Sequence, residues 1–191
     1  MILMSPYSRI FSYAFSGPAA LQKFTALSAG KIGLITAIIS ALGAIALVYN
    51  AKHSDEAGER YWHMATPMLL MAVGFTMSGL VSGAAVVPAL ATGAICFYAT
   101  QGVFFAMPAT FMKGKPAAVG IAAINSIALL GGFVGPFWMG LMKDWTGSYR
   151  IGLITLAAPS LVGAGMTLFL RSRALEGGQG AAPQVRAAEQ G

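Results

Sequence analysis

From Ile32 to Asn50 the chain runs for 19 residues (32 through 50) without a charged side chain. As a helix that stretch is about 28 Å long, close to the hydrocarbon thickness of a bilayer. Further uncharged runs occupy 65–87, 89–111, 116–142 and 151–170, each set off from the next by a short break. Inside a bilayer there is no water to bond the backbone, so such runs fold as helices whose peptide groups satisfy one another. The fold class that follows is all-α and integral to a membrane.

Composition points the same way. The chain is 57% hydrophobic and 9% charged, with mean hydropathy +0.70, whereas roughly a quarter of a soluble domain is charged. The net charge of +6 comes from basic residues in the breaks between apolar runs. They form no basic face with interleaved aromatics, so nucleic acid is not an expected partner. The lipid bilayer is, and the same residues are placed to set topology. Cys96, the single cysteine, lies inside an apolar run and reads as a small core residue. No intrachain disulfide, metal site or cofactor is expected. The five uncharged runs also lack the clustered nucleophile, acid/base pair or ligand set that an enzyme needs, so the chain is not read as one.

The start of the chain, through residue 25, is apolar but interrupted by Arg9, Gly17 and Pro18. It reads as a shortened membrane helix over about 10–25. Six spans result, at about 10–25, 32–50, 65–87, 89–111, 116–142 and 151–170. The tail 171–191 is rich in Gly, Ala and Gln with no apolar face and reads as disordered. Six crossings put Arg9, Lys52, Arg60, Lys113, Lys115, Arg171, Arg173 and Arg186 on one side and Lys23, Lys31, Lys143 and Arg150 on the other. That bias predicts a cytoplasmic C-terminus in the inner (plasma) membrane.

Several residues stand out within the spans. The run 116–142 is crowded with small residues, among them Ala117, Gly120, Ala123, Ala128, Gly131 and Gly135, and carries one amide, Asn125. Small residues let helix backbones approach closely, and an amide in lipid needs a partner. Gln101 and Phe105 are four apart and share a helix face. Gly79 and Gly83 form a small-xxx-small pattern. His53 and His63 flank a polar loop and read as interfacial rather than as proton carriers.

That loop, Ser54-Asp55-Glu56-Ala57-Gly58-Glu59-Arg60, resembles the cytoplasmic loop motif of the major facilitator superfamily, roughly Gly-x-x-x-Asp-Arg-x-Gly-x-Arg-Arg. Asp55, Gly58 and Arg60 match, while Glu56 and Tyr61 depart from the pattern. The runs Phe105-Ala-Met-Pro-Ala-Thr-Phe, Gly120-Ile-Ala-Ala-Ile-Asn-Ser-Ile and Gly131-Gly-Phe-Val-Gly-Pro are similar to the anion:cation (organic-anion) symporter branch of that superfamily. Leu129 stands at or next to the place where a second Asn is common.

The resemblance covers about residues 10–170 and corresponds to helices seven to twelve of a twelve-helix carrier. It implies a six-helix C-terminal half-bundle of the major facilitator type, its first helix truncated. It also implies proton-coupled symport of small organic anions such as sugar acids, dicarboxylates or aromatic acids, and a partner in the missing N-terminal half. Asn125, Gln101 and Phe105 would face substrate, and Asp55, Gly58 and Arg60 would form the conformational loop. None of the five uncharged runs supplies the ionisable group that proton coupling requires, so the chain alone is not expected to couple transport to protons. The alternative is a non-transporting membrane fragment or interaction protein.

Overall fold

The computed structural model describes residues 21–22, 25, 27–111 and 115–188. Within that range, the side chains at 108–111, 115–118, 120–121, 124–125, 127–132 and 176–188 are outside the description. The expected first span lies almost wholly outside the described residues. Among the described residues from Ala29 on, six α-helices follow one another: α1 (Ala29–Ala57), α2 (Tyr61–Leu80), α3 (Val86–Phe111), α4 (Lys115–Thr146), α5 (Tyr149–Thr155) and α6 (Ala157–Ala188). A 3-10 turn, Gly83–Ala85, sits between α2 and α3. Among the described residues, the stretches Ala29–Ala57, Tyr61–Leu80, Gly83–Met107 and Tyr149–Leu175 are long and apolar enough to cross a membrane. The chain is an all-α, multi-pass membrane protein.

Local chemistry sets the helix ends. α1 stops at Gly58, whose φ of 63° is left-handed and whose N–H bonds Asp55 O at 3.3 Å, a terminator that glycine adopts without a Cβ penalty. α5 starts behind Ser148, whose Oγ accepts from Arg150 N at 3.2 Å. The run 151–170 is divided at Leu156. Pro159 offers no amide to the Thr155 carbonyl four residues back, and its ring crowds that carbonyl. Beyond Leu170, α6 continues to Ala188, into the stretch whose composition reads as disordered. Ala174, Leu175 and Glu176 are good helix formers and extend the last turns of the apolar segment.

α2 is the centre of the bundle. It packs against α3 on one side and against α5 and α6 on the other. α1 lies outside α3, and α4 docks chiefly on α5. Phe75, Met68 and Met71 of α2 are fully buried with Leu90 and Val103 of α3. The α2–α3 contact is close because two glycines meet: a Cβ on Gly74 would lie 2.5 Å from Gly93 N. α1 is the least enclosed of the four crossing stretches, and its Leu34, Ile38, Leu42 and Ile45 are exposed. An apolar row of this kind suits contact with lipid or with another membrane helix. α1 and α2 scarcely touch along their lengths, so their mutual placement depends on the turn between them.

Candidate functional site

The α1–α2 turn gathers the motif residues and several that the motif does not name. Asp55, on the last turn of α1, pairs with Arg60 (Nη2–Oδ1 2.9 Å) across the bend that Gly58 makes. Glu59 sits between them in sequence and does more. Its Oε2 accepts from Trp62 N at 2.7 Å, satisfying a first-turn amide of α2, where a carboxylate also meets the positive end of the helix dipole. Its Oε1 lies 3.4 Å from Arg171 Nε, a residue 112 positions away on α6. The Arg171 guanidinium also rests over the Trp62 ring, 5.6 Å from its centroid. Beside these groups opens a cleft of about 390 Å³ lined by Glu59, Arg60, Tyr61, Met107 and Arg171.

A second set of bonds explains how α1 is held at this end. Pro67 lies inside α2 and gives no amide to the carbonyl of His63, four residues earlier. Asn50 of α1 supplies the missing donor, with Nδ2 2.9 Å from His63 O. The same Nδ2 lies 2.8 Å from Ala99 O of α3, so one amide ties three helices. Ser54 Oγ donates to Glu59 O at 3.0 Å. His63 completes the cluster: its Nδ1 is 2.6 Å from Glu59 O and its Nε2 is 2.6 Å from His53 Nδ1.

The residues expected to meet substrate lie elsewhere. Gln101 and Phe105 occupy one flank of α3, beside the face on which Gly102 meets Leu47 and Ala51 of α1. Gln101 is half-buried, and its Oε1 is shielded from solvent with no hydrogen-bond partner among the described residues. An amide oxygen left so is costly unless something outside this set of residues bonds it. Phe105 is partly exposed and sits edge-on to Phe104, with centroids 5.4 Å apart. Asn125 belongs to α4, but its side chain is outside the description. The structure therefore brings Gln101 and Phe105 together and gathers Asp55, Gly58 and Arg60 at a separate polar end.

The sequence assigns no site role to Asn50, Glu59 or Arg171, and by sequence both histidines read as interfacial. One signal was available. A proline inside a membrane helix orphans the carbonyl four residues back, so Pro67 called for a donor at His63. Nothing local could say that Asn50 would be that donor.

No family model matches the chain. Curated proteins do. The chain is 39% identical over 175 residues to a protein of Agrobacterium vitis provisionally named a tartrate transporter, a match covering 91% of this chain and 40% of the relative. It is 34% identical over 157 residues to a quinolone resistance transporter of Acinetobacter baumannii, covering 82% of this chain and 36% of that one. It is 32% identical over 150 residues to the inner membrane transport protein RhmT of Escherichia coli, covering 76% of this chain and 35% of the relative. The chain is related to membrane transporters. It spans about two-fifths or less of the length of these relatives.

Proposed function

We infer that this chain is the C-terminal half of a secondary carrier of the major facilitator superfamily, in its anion:cation symporter branch. Its substrates are small organic anions of the sugar-acid, dicarboxylate or aromatic-acid kind, moved in symport with protons. The observation that carries this reading is the match to transporters along nine-tenths of the chain but only two-fifths of the first relative. The provisional assignment of tartrate, a dicarboxylate, to that relative supports the substrate class. In carriers of this type two six-helix halves rock about a midplane site. Residues about 10–170 form one such half in this reading, with the C-terminus in the cytoplasm and the N-terminal half as partner.

Asn125, Gln101 and Phe105 line the path, and the unbonded Gln101 Oε1 is the strongest structural support for that role. A hydroxyl of a sugar acid or a protonated carboxyl is a donor suited to it. Asp55, Gly58 and Arg60 act at the other site as the loop that changes with conformational state.

The test is uptake of radiolabelled tartrate by vesicles holding this chain alone, or together with the N-terminal portion of the Agrobacterium relative. Uptake is expected only with both present, reduced roughly tenfold or more by Gln101→Ala and by Asn125→Ala, a loss of about 1.4 kcal/mol or more in transition-state stabilisation. No uptake under either condition, with both polypeptides inserted, would overturn the reading.

A further inference from the structure

We propose that His53 and His63 form a proton-binding site that closes the α1–α2 turn, and that a second added proton opens it. The hydrogen-bond geometry dictates the count. Glu59 O, 2.6 Å from His63 Nδ1, is a carbonyl and can only accept, so His63 Nδ1 carries a hydrogen. His63 Nε2 then faces His53 Nδ1 across 2.6 Å, a separation that holds one hydrogen and not two. With both rings neutral, His53 Nδ1–H donates to the Nε2 lone pair of His63. One added proton leaves a single hydrogen between the rings, whichever ring is charged. Two added protons place N–H against N–H and set two cations against each other, with ring centroids 4.8 Å apart. That state is incompatible with the contact.

The charged groups around the pair are engaged with one another. The Glu59 carboxylate lies 3.7 Å from His63 Nδ1, but it also serves Arg171 of α6. On α1, Asp55 is engaged by Arg60 and Lys52 by Glu56, the latter pair at 3.7 Å. Tyr49 stacks on His53 with centroids 6.1 Å apart. From α3 the described group that reaches this junction is the Ala99 carbonyl, through Asn50. These three carboxylates and three cations balance, apart from the histidines themselves.

Opening the pair has a defined structural consequence. α1 and α2 have little contact elsewhere, and His63 is where the links converge: its carbonyl receives Asn50, its Nδ1 holds the turn and its Nε2 holds His53. The contact is present above the second protonation step and is lost as pH falls through it.

The experiment uses the whole chain in lipid nanodiscs with ¹⁵N-labelled histidine. The chain contains 2 histidines, so the ring signals belong to this pair alone. As pH falls through the histidine range, the pair is expected to take up its protons in two distinct steps rather than together, because the contact holds one hydrogen and not two. Amide hydrogen exchange over 58–64 is expected to rise about tenfold through the lower step and to stay flat through the upper one. In His53→Gln a single ring titrates and the exchange rise disappears, because an amide bonds either protonation state of His63. Independent titration of both rings at one pH would overturn the proposal, and so would an exchange rise that survives in His53→Gln. Neither readout depends on transport, so failure here is separable from failure of the carrier reading.

Discussion

At the scale of single residues, Asn50 shows how a polar group finds its place in an apolar bundle. Its amide sits where Pro67 has left the His63 carbonyl without a helix donor. Asn50→Ala should therefore destabilise the chain by about 1–3 kcal/mol, the usual penalty for leaving a buried acceptor unmet. Denaturant unfolding in detergent measures it. The sharper check is Asn50→Ala in a Pro67→Ala background, where residue 67 regains an amide for that carbonyl. The two changes should then be non-additive, with the second costing less than the first. Additive costs would mean that the Asn50–His63 bond is not filling the proline's gap. The motif residues were legible from sequence, since Gly58 is a helix terminator and Asp55 with Arg60 a plausible pair across it. Asn50 was not, because the carbonyls it bonds belong to two other helices.

At the scale of elements, glycines decide how closely helices cross. The sequence pattern singled out Gly79 and Gly83. In the structure Gly79 faces Ile154 and Arg150 O of α5, while Gly83 lies beyond the end of α2 with φ +62°, so the two do not form one helix face. The α2–α3 crossing rests instead on Gly74 against Gly93, which no spacing within one helix reveals. Gly74→Ala sets a methyl against backbone that cannot rotate away. It should cost about 1–3 kcal/mol, as overpacking in a filled core does. Gly165 of α6 has open space around it. Gly165→Ala should be neutral or stabilising by up to about 1 kcal/mol, from helix propensity alone. Unfolding of the two variants side by side tests the contrast, and equal effects would contradict the packing described for α2 and α3.

At the scale of the whole molecule, the Glu59–Arg171 contact joins the α1–α2 turn to the last helix. Both side chains are about one-third exposed, so the pair itself is worth at most about 1 kcal/mol. Glu59→Arg and Arg171→Glu should each lower stability, and the charge-swapped double variant should recover part of the loss. Thermal unfolding of the singles and the double reads this directly. An absence of recovery would show that Glu59 acts through its bond to Trp62 N alone.

What the chain's own order of residues determined was its class: long uncharged runs in lipid have only the helix available, and glycine, serine and proline mark where several helices stop and start. It also marked the loop that carries Asp55, Gly58 and Arg60. What the tertiary structure decided was which helices are neighbours and which polar groups meet, with α2 at the centre, Asn50 on His63, His53 on His63 and Glu59 on Arg171. The reason is physical. Backbone hydrogen bonding acts within a few residues and leaves a periodic trace in sequence, whereas packing joins distant positions, such as Glu59 and Arg171, 112 residues apart, and leaves none.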